Sequence, residues 1–230
     1  MLGLDAAPPA LVNLSFLRIR DFVLPSLAPS IAQLNLLPAI LQAEAPGLHR
    51  HLATAQPLFA LSATLTLYAH EIQEYGDIAR LFDFFLAHPA IESIYLFAAI
   101  VLSRSKELFE IPSTEPEMLH STLSKLPRPL DLEHLISETT RIFTAHPPEC
   151  LPVGAWWRVS RYSVLRTTRT EQIKQTLEDG EKLFVAHSRQ LHRQQVRGRV
   201  LRQIAMYRPT RPYIALAIGV AAFAIWLKYK

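Results

Sequence analysis

Cysteine is all but absent, with Cys150 the single example in 230 residues. One thiol cannot close an internal disulfide, which excludes the stapled framework of a small secreted domain and agrees with a cytosolic body. Glycine is scarce too, at seven residues. There is no phosphate-cradling glycine loop, and no HExxH, CxxC or GxSxG, so nucleotide binding, zinc hydrolysis and serine-nucleophile chemistry lack a local motif. The opening stretch, Met1 to Leu14, has no basic segment ahead of a hydrophobic core and is not a secretory signal. Alternating strand patterns and fixed-period repeats are missing as well. No catalytic residue, cofactor-binding residue or metal ligand is therefore assigned.

What is present is apolar and helical. Half the residues are hydrophobic and seventeen are proline, which in a chain rich in Leu and Ala mark helix boundaries. The spacing predicts one or two helices over Leu11 to Ala43, joined by a Pro-Ser turn near Leu24 to Pro29, and another over Gln56 to Ile72. After Tyr75-Gly76-Asp77, with Asp77 as the expected cap, Ile78, Leu81, Phe82, Phe85 and Leu86 recur at i, i+3, i+4, i+7 and i+8, an apolar stripe that must face a core. His88-Pro89 ends that helix. Ile94 to Leu102 is apolar throughout and too short to span a bilayer, which makes it the central buried helix. Thr114 and Glu117 form a capping-box pattern, and Asp131 caps a helix with Leu132, Leu135, Ile136, Ile142 and Phe143 on one side.

The C-terminus differs in kind. An unbroken apolar run from Tyr213 to Leu227 is followed by Lys228, Tyr229 and Lys230. With Pro212 and Tyr229 it makes a helix of about 17 residues, or ~26 Å at ~1.5 Å per residue, close to the ~27 Å hydrocarbon layer of the endoplasmic reticulum. Trp226 and Tyr229 suit the interface, and the lysines can snorkel. A buried core helix is the competing reading of such a run. Arg193, Arg197, Arg199, Arg202, Arg208 and Arg211 precede the run, so the upstream chain is expected to stay cytosolic under the positive-inside bias. The same stretch suits anionic head groups, at ~1 kcal/mol per residue near the surface. Nucleic acid is disfavoured, because no aromatic platform is interleaved and the net charge is only +4. Short anchors with basic flanks also enter the mitochondrial outer membrane, the alternative destination.

Between the helical body and this anchor, Trp156 to Arg211 carries many basic residues against Glu171, Glu178, Asp179 and Glu181, and reads as a solvated stalk or partly disordered linker. Trp156 and Trp157 are expected to pack a last turn onto the body, with a dip into the membrane interface as the alternative. The expected organisation is a helical domain over 1–150, a basic stalk over 151–211 and an anchor over 212–230. Isolated polar residues add little chemistry. His49 and His51 fall on different sides of a helix and are poor joint ligands. His70 beside Glu71 reads as a capping or surface histidine, and His88 and His146 precede prolines. Arg80 and Asp83, three apart, read as an intrahelical ion pair or interhelical partners.

The order of these segments resembles a known family. Leu58-Phe59-Ala60-Leu61-Ser62, continuing to Leu67-Tyr68-Ala69-His70, and then Ile78-Ala79-Arg80-Leu81-Phe82-Asp83-Phe84-Phe85-Leu86, is similar to the later part of a TBC domain. That domain is all-helical and activates Rab-type GTPases. The stretch Arg80 to Phe85 matches its R-L-W/Y-D-x-F segment. The segment His88 to Leu102, the helical tail and the C-terminal anchor resemble the tail-anchored endoplasmic-reticulum branch. The likeness covers roughly Leu11 to Pro148 plus the anchor. It implies an all-α fold, a Rab-family GTPase as partner, membrane attachment through Tyr213 to Leu227, and a role in endoplasmic reticulum to Golgi vesicle traffic. The family's I-x-x-D-x-x-R arginine-finger motif and Y-x-Q glutamine-finger motif do not occur in this sequence, and both are expected upstream of where it begins. Ile19-Arg20-Asp21 does not fit the finger spacing and corresponds to a later segment. Tryptophans that the family carries near Ala63 to Leu67 are absent as well. A noncatalytic, tail-anchored binding or scaffold protein is the alternative function.

Overall fold

The described residues, 5–168 and 175–206 of a computed structural model, contain helices and turns but no strand. They divide into two compact units, with the break between Ser188 and Arg189. In chain order the helices of the first unit are α1 (Ala7–Leu17), α2 (Ala28–Leu34), α3 (Leu36–Glu44), α4 (Pro46–His51), α5 (Leu61–Leu65), α6 (Tyr75–Ala87), α7 (Glu92–Ser103), α8 (Ser105–Glu110), α9 (Pro116–Leu123), α10 (Leu132–Ala145), α11 (Ala155–Arg158) and α12 (Val164–Thr167). A long helix, α13 (Leu177–Met206), begins in the first unit and ends in the second.

The core is built around α7. Every residue from Glu92 to Val101 is buried, as expected of a helix that is apolar all round. Helix α10 packs along α7 and α3 covers a further side, placing Leu36, Ile40, Leu135 and Ile142 against Ile94, Phe97 and Val101 in one cluster. Each such large aliphatic or aromatic side chain contributes ~1.5–3 kcal/mol through burial. Asp131 caps α10 as expected, accepting a hydrogen bond from the His134 N–H at 3.2 Å. The other two expected caps are not formed. Glu74 rather than Asp77 occupies the cap of α6, and Glu115 rather than Thr114 that of α9, neither with a side-chain bond. Asp77 and Glu117 lie in the first turns instead, where a carboxylate still favours the positive end of the helix.

The expected helix over Gln56 to Ile72 is interrupted. Pro57–Ala60 is a 3₁₀ turn, α5 is short, and Leu67 and Tyr68 take left-handed φ of 47° and 68°. The termination is a Schellman motif: the Tyr68 N–H donates to the Ala63 carbonyl at 2.6 Å and the Leu67 N–H to that of Thr64 at 3.2 Å. Glycine normally fills the position Leu67 holds, and a bulky residue there costs roughly 1–2 kcal/mol. The turn persists because Tyr68 is fully buried, donates its hydroxyl to the Ser93 carbonyl at 2.6 Å and stacks on Phe85 with ring centroids 5.8 Å apart.

The core does not stop at residue 150. Leu151, Ala155, Trp156, Val159, Val164 and Leu165 are buried in the same cluster, so the beginning of the segment expected to be a solvated stalk is part of the body. Trp156 is buried while Trp157 is 61% exposed. The Arg166 guanidinium lies over both rings, 5.7 and 4.9 Å from their centroids, which accounts for the adjacent pair by packing. The start of α13 also belongs to this unit. Phe184 meets Phe16 edge to face at 5.6 Å, and Gly180 sits so close that an added Cβ would lie 3.0 Å from Phe16 and Leu17 of α1.

The apolar run Tyr213 to Leu227 lies outside the described residues. Among those described, no helix is long and apolar enough to cross a membrane.

Candidate functional site

The segments that carry the family likeness converge on α5, α6 and α7. Helix α6 buries Leu81, Phe84 and Phe85. Ile78 and Phe82 are half-buried and Leu86 is 48% exposed, so the buried stripe is narrower and rotated from the expected one, with Phe84 in place of Leu86. The rotation follows from what α6 packs on, because Tyr68 and His88 take the faces of Phe85 and Phe84 at 5.8 and 4.4 Å. Arg80 pairs across to Glu133 of α10 at 2.7 Å, the interhelical arrangement, and Asp83 is exposed. Arg18 closes the far end of α6, donating to the carbonyls of Leu86 and His88 and so satisfying groups that a helix C-terminus leaves open. Burial pulls its guanidinium below the usual arginine range.

A second cluster leaves no pattern in the sequence. Arg20 and Asp21, adjacent in the turn after α1, are 0% and 1% exposed. The Arg20 guanidinium donates to the Tyr162 carbonyl at 3.0 and 3.1 Å, to the Phe16 carbonyl at 3.1 Å, and to the Thr167 hydroxyl. Burial lowers its pKa and the charge of Asp21 works in the opposite direction. The Asp21 carboxylate accepts from the Gln33 amide at 2.6 Å, the Ser163 hydroxyl at 2.5 Å and the Val164 N–H at 3.2 Å, and His187 Nδ1 lies 3.4 Å away. Two adjacent residues thus tie together α1, α2 and α12, with His187 of α13 alongside. An arginine so enclosed is unavailable to a docked nucleotide, and Arg20 is a structural residue.

Several of the histidines are tied to the fold. His51 bridges the carbonyls of Leu108 and Ile111, both at 2.9 Å. His146 and Arg141 hold Glu44 at 2.8 and 2.5 Å, His88 faces Glu92 at 3.2 Å, and His70 is exposed. His49 lines a cleft of about 250 Å³ with Leu37, Leu41, Leu52 and Phe59. A larger cleft of about 310 Å³ is edged by Glu71, Glu74, Asp77 and Arg128. Among the described residues, no group of three or more His, Cys, Asp or Glu could hold a metal ion. Both clefts open onto the surface of the body.

Part of this helical body is similar to known proteins. Residues 6–109 match the Rab-GTPase-TBC domain. The matched part runs from α1 into α8 and takes in the Schellman turn, α6, α7 and the Arg20–Asp21 turn. The GTPase-activating protein gyp10 of Schizosaccharomyces pombe is 36% identical over 166 residues, covering 70% of this chain and 44% of that protein. TBC1 domain family member 20 of Homo sapiens, like that of Mus musculus, is 33% identical over 150 residues, 64% of this chain and 37% of the relative. The chain therefore aligns with less than half the length of these relatives. Within the matched segment, the stretch from Arg80 to Phe85 is mainly a packing motif: Leu81, Phe84 and Phe85 face inward, and Arg80 faces α10.

Proposed function

We propose that this chain is the Rab-engaging, membrane-tethered part of a TBC-type GTPase activator of endoplasmic reticulum to Golgi vesicle traffic. The observation that carries the GTPase reading is the match of residues 6–109 to the Rab-GTPase-TBC domain, supported by a relative named a GTPase-activating protein. The partner is a Rab-family GTPase in its GTP form. Neither finger motif occurs in these 230 residues, and Arg20 is enclosed by the fold. An arginine finger contributes ~10³ to 10⁵ in rate. The chain by itself accordingly binds a Rab without giving the full acceleration. Tethering rests on the sequence of Tyr213 to Leu227 and the arginines before it, with the endoplasmic reticulum preferred for its thin bilayer and the mitochondrial outer membrane as alternative.

Two experiments separate the parts of this proposal. Binding of the full chain to a panel of GTP-loaded Rabs, with single-turnover hydrolysis on the same samples, tests the GTPase part. Binding to no Rab overturns it, and full acceleration overturns the claim that the fingers are lacking. Alkaline extraction of membranes from cells expressing the full chain tests the anchor: release into the supernatant overturns it.

A further inference from the structure

The second compact unit carries a surface with a definite chemistry. Its described part is the later portion of α13, and there Arg189, Arg193, Arg197, Arg199 and Arg202 are all exposed. No Asp or Glu follows Glu181 anywhere in the sequence, so nothing on the segment neutralises them. At ~100° per residue, Arg189, Arg193 and Arg197, with Val196 and Val200, fall within a strip roughly 100° wide. Val200 falls in angle between Arg189 and Arg193 and Val196 at the edge of the strip beside Arg189, and both stay open to solvent, at 46% and 43% exposure. A strip that combines guanidinium and exposed aliphatic groups is neither a core-facing stripe nor an ordinary solvated face.

We propose that this strip of α13 binds the surface of an anionic phospholipid bilayer, with Val196 and Val200 entering the head-group boundary and Arg189, Arg193 and Arg197 pairing with lipid phosphates and carboxylates. Arginine stems lie along apolar surface while their heads reach polar groups, and interfacial helices combine these two kinds of contact. A nucleic-acid backbone would use the arginines but leave the valines without a gain, and the strip has no aromatic platform for bases. Lipid satisfies both halves. The proposal needs only that a bilayer is within reach, which is the membrane part of the function proposed above. It does not depend on the GTPase part.

The test uses the full chain carrying C150S and V200C, labelled at position 200 with an environment-sensitive fluorophore. It is mixed with vesicles of phosphatidylcholine, with or without phosphatidylserine. A blue shift is expected with phosphatidylserine vesicles and not with phosphatidylcholine alone, and it should be reversed by high salt. Each arginine near an anionic surface is worth about five-fold, so R189Q/R193Q/R197Q should raise the half-saturating lipid concentration on the order of 100-fold at low salt. These residues are exposed, and a circular dichroism spectrum matching that of the labelled parent keeps unfolding out of the result. Equal shifts on both vesicle types, or none on either, overturn the proposal. So does a shift with polyuridylate RNA and none with vesicles. Protein that floats with both vesicle types while the probe stays unshifted means that the anchor holds and this inference fails, so the two remain distinguishable.

Discussion

Replacing Asp21 with alanine should be among the most damaging single changes available in this chain. The carboxylate is 1% exposed and accepts from the Gln33 amide, the Ser163 hydroxyl and the Val164 N–H at 2.6, 2.5 and 3.2 Å. D21A leaves three enclosed donors without an acceptor, each worth ~1–3 kcal/mol, and removes the negative charge beside the enclosed Arg20. Breaking a buried charged cluster on one side costs ~3–5 kcal/mol. That is a large share of the ~5–15 kcal/mol a domain has in total. D21N keeps the shape and one carbonyl acceptor, and should lose about half as much. In urea, with a slope of ~1–3 kcal/mol per molar, the loss for D21A corresponds to a midpoint lowered by about 2 M at unchanged slope. Tryptophan fluorescence is a suitable signal, since Trp156 is buried in the core cluster and 160s residues attach through Asp21. A midpoint shift of less than about 0.5 M would show that the cluster is not the tie described here.

Y68F removes a hydroxyl that donates to the Ser93 carbonyl inside the core, a carbonyl that also accepts along α7. It should cost ~0.5–1.5 kcal/mol in chemical denaturation, although only one oxygen is lost. G180A would press a Cβ to 3.0 Å from Phe16 and Leu17 and should destabilise by ~1–3 kcal/mol, with loss of the Phe16 contact visible by NMR. Burial pushes the Glu44 carboxyl up, but the bonds and charges of Arg141 and His146 outweigh it, so the group titrates below its ordinary range. Its stabilising contribution is therefore complete above the unfolded value of 4.5 and is lost as pH falls through the lower folded value. E44Q should flatten that acid limb in thermal melts at graded pH. R80A breaks a pair whose side chains are 42% and 67% exposed, and its effect should stay within ~1 kcal/mol.

How much of this was legible depended on whether a residue's surroundings are local. Helix α7 was readable because a continuous apolar run has no solvent-compatible face, and the Asp131 cap because its partner is three residues away. Helix α6 was readable as a helix, but its inward face was set by Tyr68 and His88, which its own spacing does not report. The break at Leu67 and Tyr68 was hidden because neither is a usual left-handed residue, and tertiary packing of Tyr68 carries the cost. Arg20 and Asp21 were opaque for a similar reason. Charged residues next to a turn normally face water, and only the approach of residues 160–168, about 140 positions away, encloses them. The same approach explains why sparse apolar residues past 150 still join the core: Trp156, Val164 and Leu165 are few but large.

The most direct test of the proposed function is single-turnover GTP hydrolysis by a panel of Rabs with the full chain in saturating excess. Saturable binding to at least one GTP-loaded Rab is expected, with hydrolysis accelerated less than about tenfold, far below the ~10³ to 10⁵ that an arginine finger supplies. Acceleration of ~10³ or more by this chain alone would contradict the claim that it lacks the fingers, and binding to none of the Rabs would contradict the assignment of its TBC-type segment to Rab recognition.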